Sequence, residues 1–520
     1  MSGSRWIDLM VVVAYMAGMT YLGLRFARRQ TSTEHYFVAK RSIPAWALGM
    51  SLFATIISSV TFIGYPGSAY AKDWSNLVPG FMLLVCLFVV GSVLIPFYRE
   101  VVGISAYEYF GKRFGVPVRL YSSFAFSLGH FSKMGLIIYL VALVISGMTG
   151  WNLYWVMVSV GLVTIYYSVI GGLEAVIWAD VIQGFVMFAG IFVCLGYLLF
   201  LAPGGPVAPI LIAWNSGKFS LGSMSPDLSK PTILVLVLYG LFWYLQKYSA
   251  DQTIVQRYLV ARNHREAMRG VSLGAYLSFA VWTLFMLIGS LVWAYYKLTG
   301  EALPASVTKA DAVFPHFLTT HIPVGLAGLF IASLLAAAMS TLASDLNCLA
   351  VVAVEDFYRR FRPDSTDQQR LRTGKLVVAV AGALAVGTGI LLAQTGGGAL
   401  SMWFAISSIV SGGLAGLFLL AFLSTRANRK GATAGIVASV ASTAWGTLTL
   451  GSNRTLDLGA LNFPYHELMI GVIGHVVLLV VGYLVSLVTA RDTGEHDPAL
   501  TIWGWLQRRK APAATGNART

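Results

Sequence analysis

The chain has 520 residues, of which 57% are hydrophobic and only 11% charged, and its mean hydropathy is +0.72. Soluble domains are about one quarter charged, so this composition excludes an ordinary soluble protein and indicates a surface that faces lipid. The net charge of +14 would favour nucleic acid in a soluble protein, but in a membrane protein the basic residues must first be assigned to the two sides of the bilayer.

Apolar segments long enough to cross a bilayer, about 20 residues each, recur along the whole chain. We predict about thirteen transmembrane helices, at 6–27, 45–70, 76–98, 118–146, 151–170, 175–202, 232–257, 268–297, 324–356, 374–394, 398–422, 432–451 and 464–490. The first segment follows a single basic residue and lacks a small-residue cleavage site, so we expect a retained helix rather than a signal peptide.

The basic residues are distributed unequally between alternate loops. If the N-terminus is outside, the cytoplasmic loops and tail hold 27 of the 36 Lys and Arg. The positive-inside rule therefore predicts a multi-pass protein of the bacterial inner membrane with its N-terminus outside and its C-terminus in the cytoplasm. Because the positive charge is explained by topology, we expect the lipid bilayer, and not nucleic acid, as the partner of this surface.

The three cysteines, Cys86, Cys194 and Cys348, all lie inside apolar segments. They have neither metal-ligand spacing nor an even-numbered framework. We expect buried thiols and no disulfide.

Thirteen helices can be divided into one leading helix, two units of five, and two trailing helices. An odd number of helices per unit turns the second unit upside down in the membrane, an arrangement typical of secondary transporters. The corresponding boundaries are 1–44 for the leading helix and loop, 45–202 for the first repeat, 203–231 for an extracellular loop, 232–422 for the second repeat, 423–490 for the trailing helices and 491–520 for the tail.

The second helix combines hydroxyl side chains with helix breakers. The segment from Phe53 to Thr61 is followed by Gly64, Pro66 and Gly67. This pattern predicts an unwound stretch at mid-membrane depth, whose free carbonyls can bind a cation. A kinked helix whose Ser and Thr satisfy their own backbone is the alternative.

The ninth helix places Ser340, Thr341, Ser344 and Asp345 along one face, because residues three and four apart stack on a helix. Small residues and hydroxyls are also common where membrane helices pack closely. An intramembrane carboxylate, however, usually marks an ion or substrate path. A hydrated cytoplasmic vestibule is the alternative location for Asp345.

The segment from Tyr167 to Asp180, with Gly171, Gly172 and Glu174, resembles the signature of the sodium/solute symporter family. The segment from Asp251 to Arg257 resembles a second hallmark. Further matches are the pairs Ser340-Thr341 and Glu355-Asp356, and the resemblance extends from about residue 6 to about residue 487.

The resemblance implies an all-α membrane protein of the leucine-transporter type, with two inverted repeats of five helices. It implies Na+ as the coupled ion, bound in a principal site whose ligands are the carbonyls of Ala54, Ile57 and Ala337 and the hydroxyls of Ser340 and Thr341. A second sodium site, found in some members, would use Asp180, Ser340 and Ser344, but one hydroxyl position is replaced by Ala343.

For the solute, the chain is most similar to the bacterial sialic-acid branch of the family. Ser58 and Thr61 are kept, whereas an Arg for the substrate carboxylate is replaced by Lys133 and a Gln by Gly80. Lys is a point charge without the bidentate fork of Arg, so sugar and sugar acid both stay open. The candidate solute-binding residues are Ser58, Thr61, Asn76, Lys133, Gln246 and Phe404.

Lys133 lies near the middle of its helix, where an unpaired ammonium costs a few kcal/mol or more. Its partner is either the substrate, a carboxylate such as Asp180, or water in the cavity. We expect His130 to be a packed or hydrated histidine. Phe404 resembles an aromatic lid, although aromatic residues at a membrane interface are often only anchors.

The sequence thus predicts a sodium-coupled symporter that imports a small polar solute, a sugar or sugar acid, by alternating access. The alternatives are an amino-acid or monocarboxylate symporter and, from another class, a non-transporting membrane sensor. The membrane potential does not drive a monoanion that enters with one sodium, which slightly favours a neutral sugar. No enzymatic constellation and no obligate protein partner is evident.

Overall fold

The computed structural model describes residues 6–27, 30–305, 307–395, 409, 412–451, 454–489 and 497–510. Within these ranges the regular structure is helical, and a single isolated β-bridge joins Ile43 to Ala261. The first part of the chain forms α1 Trp6–Ala27, α2 Thr33–Val38, α3 Ala45–Ile56, α4 Ser59–Ala71, α5 Val78–Val101, α6 Glu108–Phe114, α7 Val116–Thr149, α8 Leu153–Leu201 and α9 Ala208–Asn215.

The second part begins with another pair of short helices and continues with longer ones. It forms α10 Ile233–Ala250, α11 Gln252–Val260, α12 His264–Thr299, α13 Ala310–His321, α14 Leu326–Val352, α15 Arg359–Phe361, α16 Asp367–Thr395, α17 Leu414–Leu423, α18 Arg429–Thr449, α19 Leu468–Val488 and α20 Ile502–Lys510. A π-helix, Ala353–Tyr358, connects α14 to α15.

Eight described helices are long and apolar enough to cross a membrane, or up to ten if each of two bent pairs is one span. The predicted segments therefore correspond to helices, but the number thirteen stays a prediction. Most of the predicted helix 398–422 lies outside the described residues, which resume there as α17. The segment 203–231, predicted as a loop, contains the short helix α9, and the predicted tail contains α20.

The predicted helices 151–170 and 175–202 form one long element, α8, which bends at Gly172. This residue has φ 58° and ψ −162°, a conformation that glycine adopts without a steric penalty. A Cβ atom here would lie 2.7 Å from the ring of Tyr36. The predicted boundary is thus a sharp bend and not a loop.

The unwound stretch predicted in the second helix is confirmed. α3 ends at Ile56 and α4 begins at Ser59, and the two helices are bent by 63°. Ser58 caps α4 in a capping box with Thr61, which satisfies donors that the break exposes.

A second break separates α10 from α11 at Asp251, so the predicted helix 232–257 is two helices. The Asp251 side chain caps α11 by accepting a hydrogen bond of 2.8 Å from the backbone N–H of Thr253. Both repeats of the predicted architecture therefore begin with a broken helix.

The most buried of the long apolar helices is α14, in which nearly every side chain is enclosed. It packs against α1, α7, α8 and α16 and touches both broken helices. The polar face of α14 therefore lies next to both helix breaks, the one between α3 and α4 and the one between α10 and α11.

The three cysteines, Cys86, Cys194 and Cys348, are free and buried, as expected. Cys348 on α14 lies with its sulfur 3.0 Å from the side-chain oxygen of Gln256. Their packing matches that of small apolar residues.

Candidate functional site

A cavity of about 520 Å³ lies beside the two helix breaks. This volume falls in the usual range for small-molecule sites, about 300–1,000 Å³. Its polar lining consists of Thr55, Ser58, Thr61, Asn76, Lys133, Lys247, Thr253 and Thr341. Its aromatic lining consists of Tyr65, Tyr239, Trp243, Tyr244, Tyr248 and Trp282.

Four of the six predicted solute-binding residues line this cavity: Ser58, Thr61, Asn76 and Lys133. Gln246 does not, although its neighbours Lys247 and Tyr248 do. Successive residues on a helix point about 100° apart, so a shift of one position along α10 moves a side chain off the cavity. The remaining candidate, Phe404, lies outside the described residues.

Four of the five predicted sodium ligands meet where α14 passes the break between α3 and α4. The Ser340 hydroxyl donates to the carbonyl of Ala54 at 2.8 Å, and it lies 3.2 Å from that of Ala337. The Thr341 hydroxyl lies 3.1 Å from the Ala337 carbonyl and 3.4 Å from that of Thr55. Carbonyl and hydroxyl oxygens are suitable ligands for a small hard cation.

The fifth predicted ligand, Ile57, occupies the C-terminal cap of α3. Its ψ of 111° takes the backbone out of the helix. Its N–H still bonds to the carbonyl of Phe53 at 3.0 Å. The residue is thus at the break.

Two of the three residues of the predicted second sodium site, Asp180 and Ser344, contact a guanidinium group. Arg257 on α11 is fully buried, and its Nη2 lies 3.1 Å from Oδ2 of Asp180 and 2.8 Å from the hydroxyl of Ser344. The same carboxylate oxygen accepts a hydrogen bond of 2.6 Å from Ser51. The positive charge beside Asp180 and Ser344 is therefore supplied by the protein.

Asp180 is not at the start of a helix. It lies inside α8, two turns beyond the bend at Gly172. An acidic residue interacts with the helix dipole mainly in the first turn. Its partner Arg257 provides the electrostatic contact of this carboxylate.

Lys133 pairs with Asp345 and not with Asp180. The Lys133 ammonium lies 2.9 Å from Oδ2 of Asp345, and its side chain, which lines the cavity, is 38% exposed. Asp345 is completely buried, so its placement in a hydrated vestibule is wrong. The helix α14 presents this carboxylate to α7 one turn beyond Thr341.

His130 on α7 is neither simply packed nor hydrated, because it lies between two carboxylates. Its Nδ1 is 2.7 Å from Oδ1 of Asp345, and its Nε2 is 3.3 Å from Oδ2 of Asp251. The second ammonium of the cavity, Lys247, pairs with Asp251. We refer to these five residues, His130, Lys133, Lys247, Asp251 and Asp345, as the ion cluster.

Two features of this site are not predicted from the sequence. One is Arg257, although it belongs to the segment that resembles a family hallmark and ends a predicted membrane helix. The other is the aromatic wall, in which Trp282 stacks on Tyr65 with ring centroids 6.0 Å apart. Aromatic residues are frequent throughout this chain, so the amino-acid sequence does not distinguish the aromatic residues that line the cavity from those that contact lipid.

Comparison with known proteins gives consistent relatives. The model of the "Sodium:solute symporter family" matches residues 36–439. The sodium/sialic acid symporter NanT of Aliivibrio fischeri is 33% identical over 92% of this chain and 93% of its own. The sodium/sialic acid symporter SiaT of Proteus mirabilis is 32% identical over 92% of this chain and 95% of its own.

Solved structures show the same architecture. A Na+-coupled sialic acid symporter, solved in a substrate-bound outward-open state that revealed a novel Na+ site, superposes with a TM-score of 0.86 at 31% identity, covering 93% of this chain and 98% of its own. Mhp1, a nucleobase-cation-symport-1 family transporter, superposes with a TM-score of 0.55 at 16% identity, covering 88% and 96%. These likenesses confirm the predicted fold of the leucine-transporter type.

Proposed function

The chain belongs to the sodium:solute symporter family, and from this premise we propose that its solute is a sugar acid of the sialic-acid type. As a member of this family it is a multi-pass membrane protein that couples the transport of a solute to sodium by alternating access. The proposal concerns the charge and class of the solute and the residues that bind it.

The observation that carries the proposal is the ammonium group of Lys133, which shares the cavity with a second ammonium, Lys247, and with hydroxyl, amide, aromatic and aliphatic groups. A sugar acid presents one carboxylate and several hydroxyls, which match this lining. Hydrogen bonds between an ammonium and a carboxylate are shorter and stronger than neutral ones. We assign the carboxylate to Lys133, and the sugar hydroxyls to Ser58, Thr61 and Asn76.

The most similar relatives described above transport sialic acid, which supports a sugar acid over a neutral sugar. The membrane potential contributes nothing when one sodium enters with a monoanion. A tenfold sodium gradient alone still provides about 1.4 kcal/mol, which is a tenfold accumulation. Anion import is therefore driven even with a single sodium.

We place the sodium at the principal site, with ligands from Ala54, Ile57, Ala337, Ser340 and Thr341. This site joins the broken helix of the first repeat to α14 of the second repeat. A ligand shifts a conformational equilibrium only through its different affinity for the two states. Sodium bound across the two repeats stabilises the conformation in which α3 and α14 are in contact, and the solute cavity lies beside that contact.

The second sodium site, with Asp180, Ser340 and Ser344, stays a weaker proposal, since the guanidinium of Arg257 already neutralises Asp180. We further propose the bacterial inner membrane as the location, with the N-terminus outside and the C-terminus in the cytoplasm. The repeat boundaries 45–202 and 232–422 belong to the same proposal. We expect no enzymatic activity and no obligate protein partner.

Uptake into proteoliposomes tests the proposed solute. Purified protein is reconstituted, and initial uptake of radiolabelled N-acetylneuraminate, glucose, proline and lactate is measured with an inward sodium gradient and with sodium replaced by choline. We expect sodium-dependent uptake of N-acetylneuraminate only. Sodium-dependent uptake of glucose, proline or lactate, but not of N-acetylneuraminate, would overturn the proposed solute class. Absence of uptake of all four solutes, with and without sodium, would favour the alternative of a membrane sensor.

A further inference from the structure

The ion cluster brings five ionisable side chains from three parts of the chain together. His130 and Lys133 lie on α7, Asp345 lies on α14, and Lys247 and Asp251 lie at the break between α10 and α11. Lys133 and Lys247 also line the solute cavity. A solute in the cavity therefore experiences the net charge of the cluster.

The geometry of His130 decides that net charge. Both ring nitrogens face carboxylate oxygens, at 2.7 Å on Asp345 and 3.3 Å on Asp251. A neutral imidazole has one N–H and one lone pair, so it would direct a lone pair at one of the two anions. Only the imidazolium, with two N–H groups, presents hydrogen to both.

Some of the other groups around the His130 ring favour its protonation, and others oppose it. The Lys133 ammonium, on the same helix, lies 3.4 Å from Nδ1 and opposes protonation. On α14, the Cys348 thiol lies near Asp345 and Asp251 of the cluster. On α7, Phe126 packs against the ring with centroids 4.0 Å apart. From the break, Asp251 faces the ring with Lys247 behind it. The nearby Arg257 and Asp180 compensate each other.

The charge balance of the cluster follows from its members. Two ammonium groups and two carboxylates cancel, so the cluster is neutral with a neutral His130 and carries one positive charge with an imidazolium. A monoanionic solute cancels that single charge. The attraction between two opposite charges is stronger in a low-dielectric site than in water.

We propose that His130 is a specificity-determining residue whose imidazolium gives the ion cluster one net positive charge, so that binding of a carboxylate solute is linked to the uptake of a proton. The inference rests on the proposed function, because it requires an anionic solute. Nothing in it requires His130 to touch the solute, since its charge acts through the cluster.

Thermodynamic linkage between proton binding and anion binding determines how the affinity for the anion changes with pH. If the protonated protein binds the anion more tightly, then bound anion also holds the proton more tightly, by the same factor. We therefore expect the affinity for the anion to be highest at low pH and to fall as pH rises, by at most about tenfold per pH unit for one linked proton.

The direct test uses wild-type protein. Isothermal titration calorimetry of N-acetylneuraminate binding in saturating sodium is repeated at pH 6.0 to 8.5 in buffers that differ in ionisation enthalpy. We expect uptake of between zero and one proton per solute, rising with pH, and no uptake for the neutral methyl ester of the same sugar. Binding of N-acetylneuraminate with no proton exchanged at any pH would overturn the inference and leave the proposed solute intact. Absence of N-acetylneuraminate binding at every pH would overturn both.

Variants locate the proton. In His130→Gln we expect weak anion binding with a flat pH profile, and in His130→Lys, which keeps a fixed charge, tight binding with a flat profile. His475→Gln, another buried histidine, on α19, serves as a matched control and should keep the wild-type profile. A wild-type profile in correctly folded His130→Gln would show that the linked proton binds elsewhere.

Discussion

Arg257 Nη2 lies 3.1 Å from Asp180 Oδ2, and both side chains are completely buried. The guanidinium also contacts the hydroxyls of Ser51, Thr55 and Ser344. It thereby joins α11 of the second repeat to α3 and α8 of the first. The protein's own cation thus lies beside Asp180.

We therefore expect Asp180→Asn to lower stability without changing the sodium stoichiometry. Removing one partner of a buried ion pair typically costs about 3–5 kcal/mol. The measurement is the thermal unfolding midpoint together with the sodium Hill coefficient of uptake, which should stay close to that of the wild type. A Hill coefficient that falls in Asp180→Asn would instead place a second sodium at this residue.

The principal sodium site is tested by removing two hydroxyls. In the double variant Ser340→Ala/Thr341→Ala we expect the sodium concentration for half-maximal uptake to rise at least tenfold, because a dehydrated sodium loses two oxygen ligands. Initial uptake is measured against sodium concentration. Ser333→Ala removes another buried hydroxyl of α14, which bonds to Val186 and Leu329, and should leave the sodium dependence unchanged. An unchanged dependence in the double variant would rule out these ligands.

Lys133 determines the response to solute charge. We expect Lys133→Gln to raise the apparent KM for N-acetylneuraminate by roughly ten- to hundredfold, since hydrogen bonds to charged groups contribute about 1.5–3 kcal/mol. The KM for a neutral analogue should change far less. Lys133→Arg should recover anion binding, because a planar fork binds a carboxylate through two hydrogen bonds. Unaltered uptake in both variants would place Lys133 outside the transport path.

A stability prediction concerns the loop that follows α9. The ammonium of Lys218 lies 2.6 Å from the carbonyl of Tyr70, 3.0 Å from that of Lys72 and 3.4 Å from that of Ala69. It thus satisfies carbonyls at the C-terminal end of α4, where helix carbonyls lack partners.

We expect Lys218→Met to lower the free energy of unfolding by about 1–3 kcal/mol, the usual effect of leaving buried polar groups unsatisfied. Thermal unfolding in detergent gives the measurement. Lys230→Met, which removes a surface ion pair with Asp227, is the control and should have little effect. Equal midpoints for the two variants would show that the capping contacts contribute nothing.

The broken second helix could be predicted because its signals are local. Ser58, Gly64 and Pro66 all lie within a few turns, and hydroxyls and helix breakers act on the backbone nearest to them. The contact of Ser340 with Ala54 was predicted from the family resemblance and not from the local residue pattern, because it joins residues 286 positions apart.

The ion pairs could not be predicted in the same way. Asp180 and Asp345 are both buried carboxylates, and a hydropathy pattern assigns them similar depths. Which one meets Lys133 depends on how α7, α8 and α14 are rotated against each other, a property of tertiary packing. For the same reason the position of Arg257 at the end of an apolar segment does not reveal its partner, which lies 77 positions away.

The burial of Cys86, Cys194 and Cys348 has a practical consequence for measuring motion in this protein. A maleimide dye needs an accessible thiolate, so the native thiols give a low labelling background. Single cysteines introduced at exposed positions of α4 and α13 could then carry a donor and an acceptor fluorophore in the otherwise unaltered chain. Single-molecule energy transfer between them would follow the separation of α4 and α13 during transport without a cysteine-free parent.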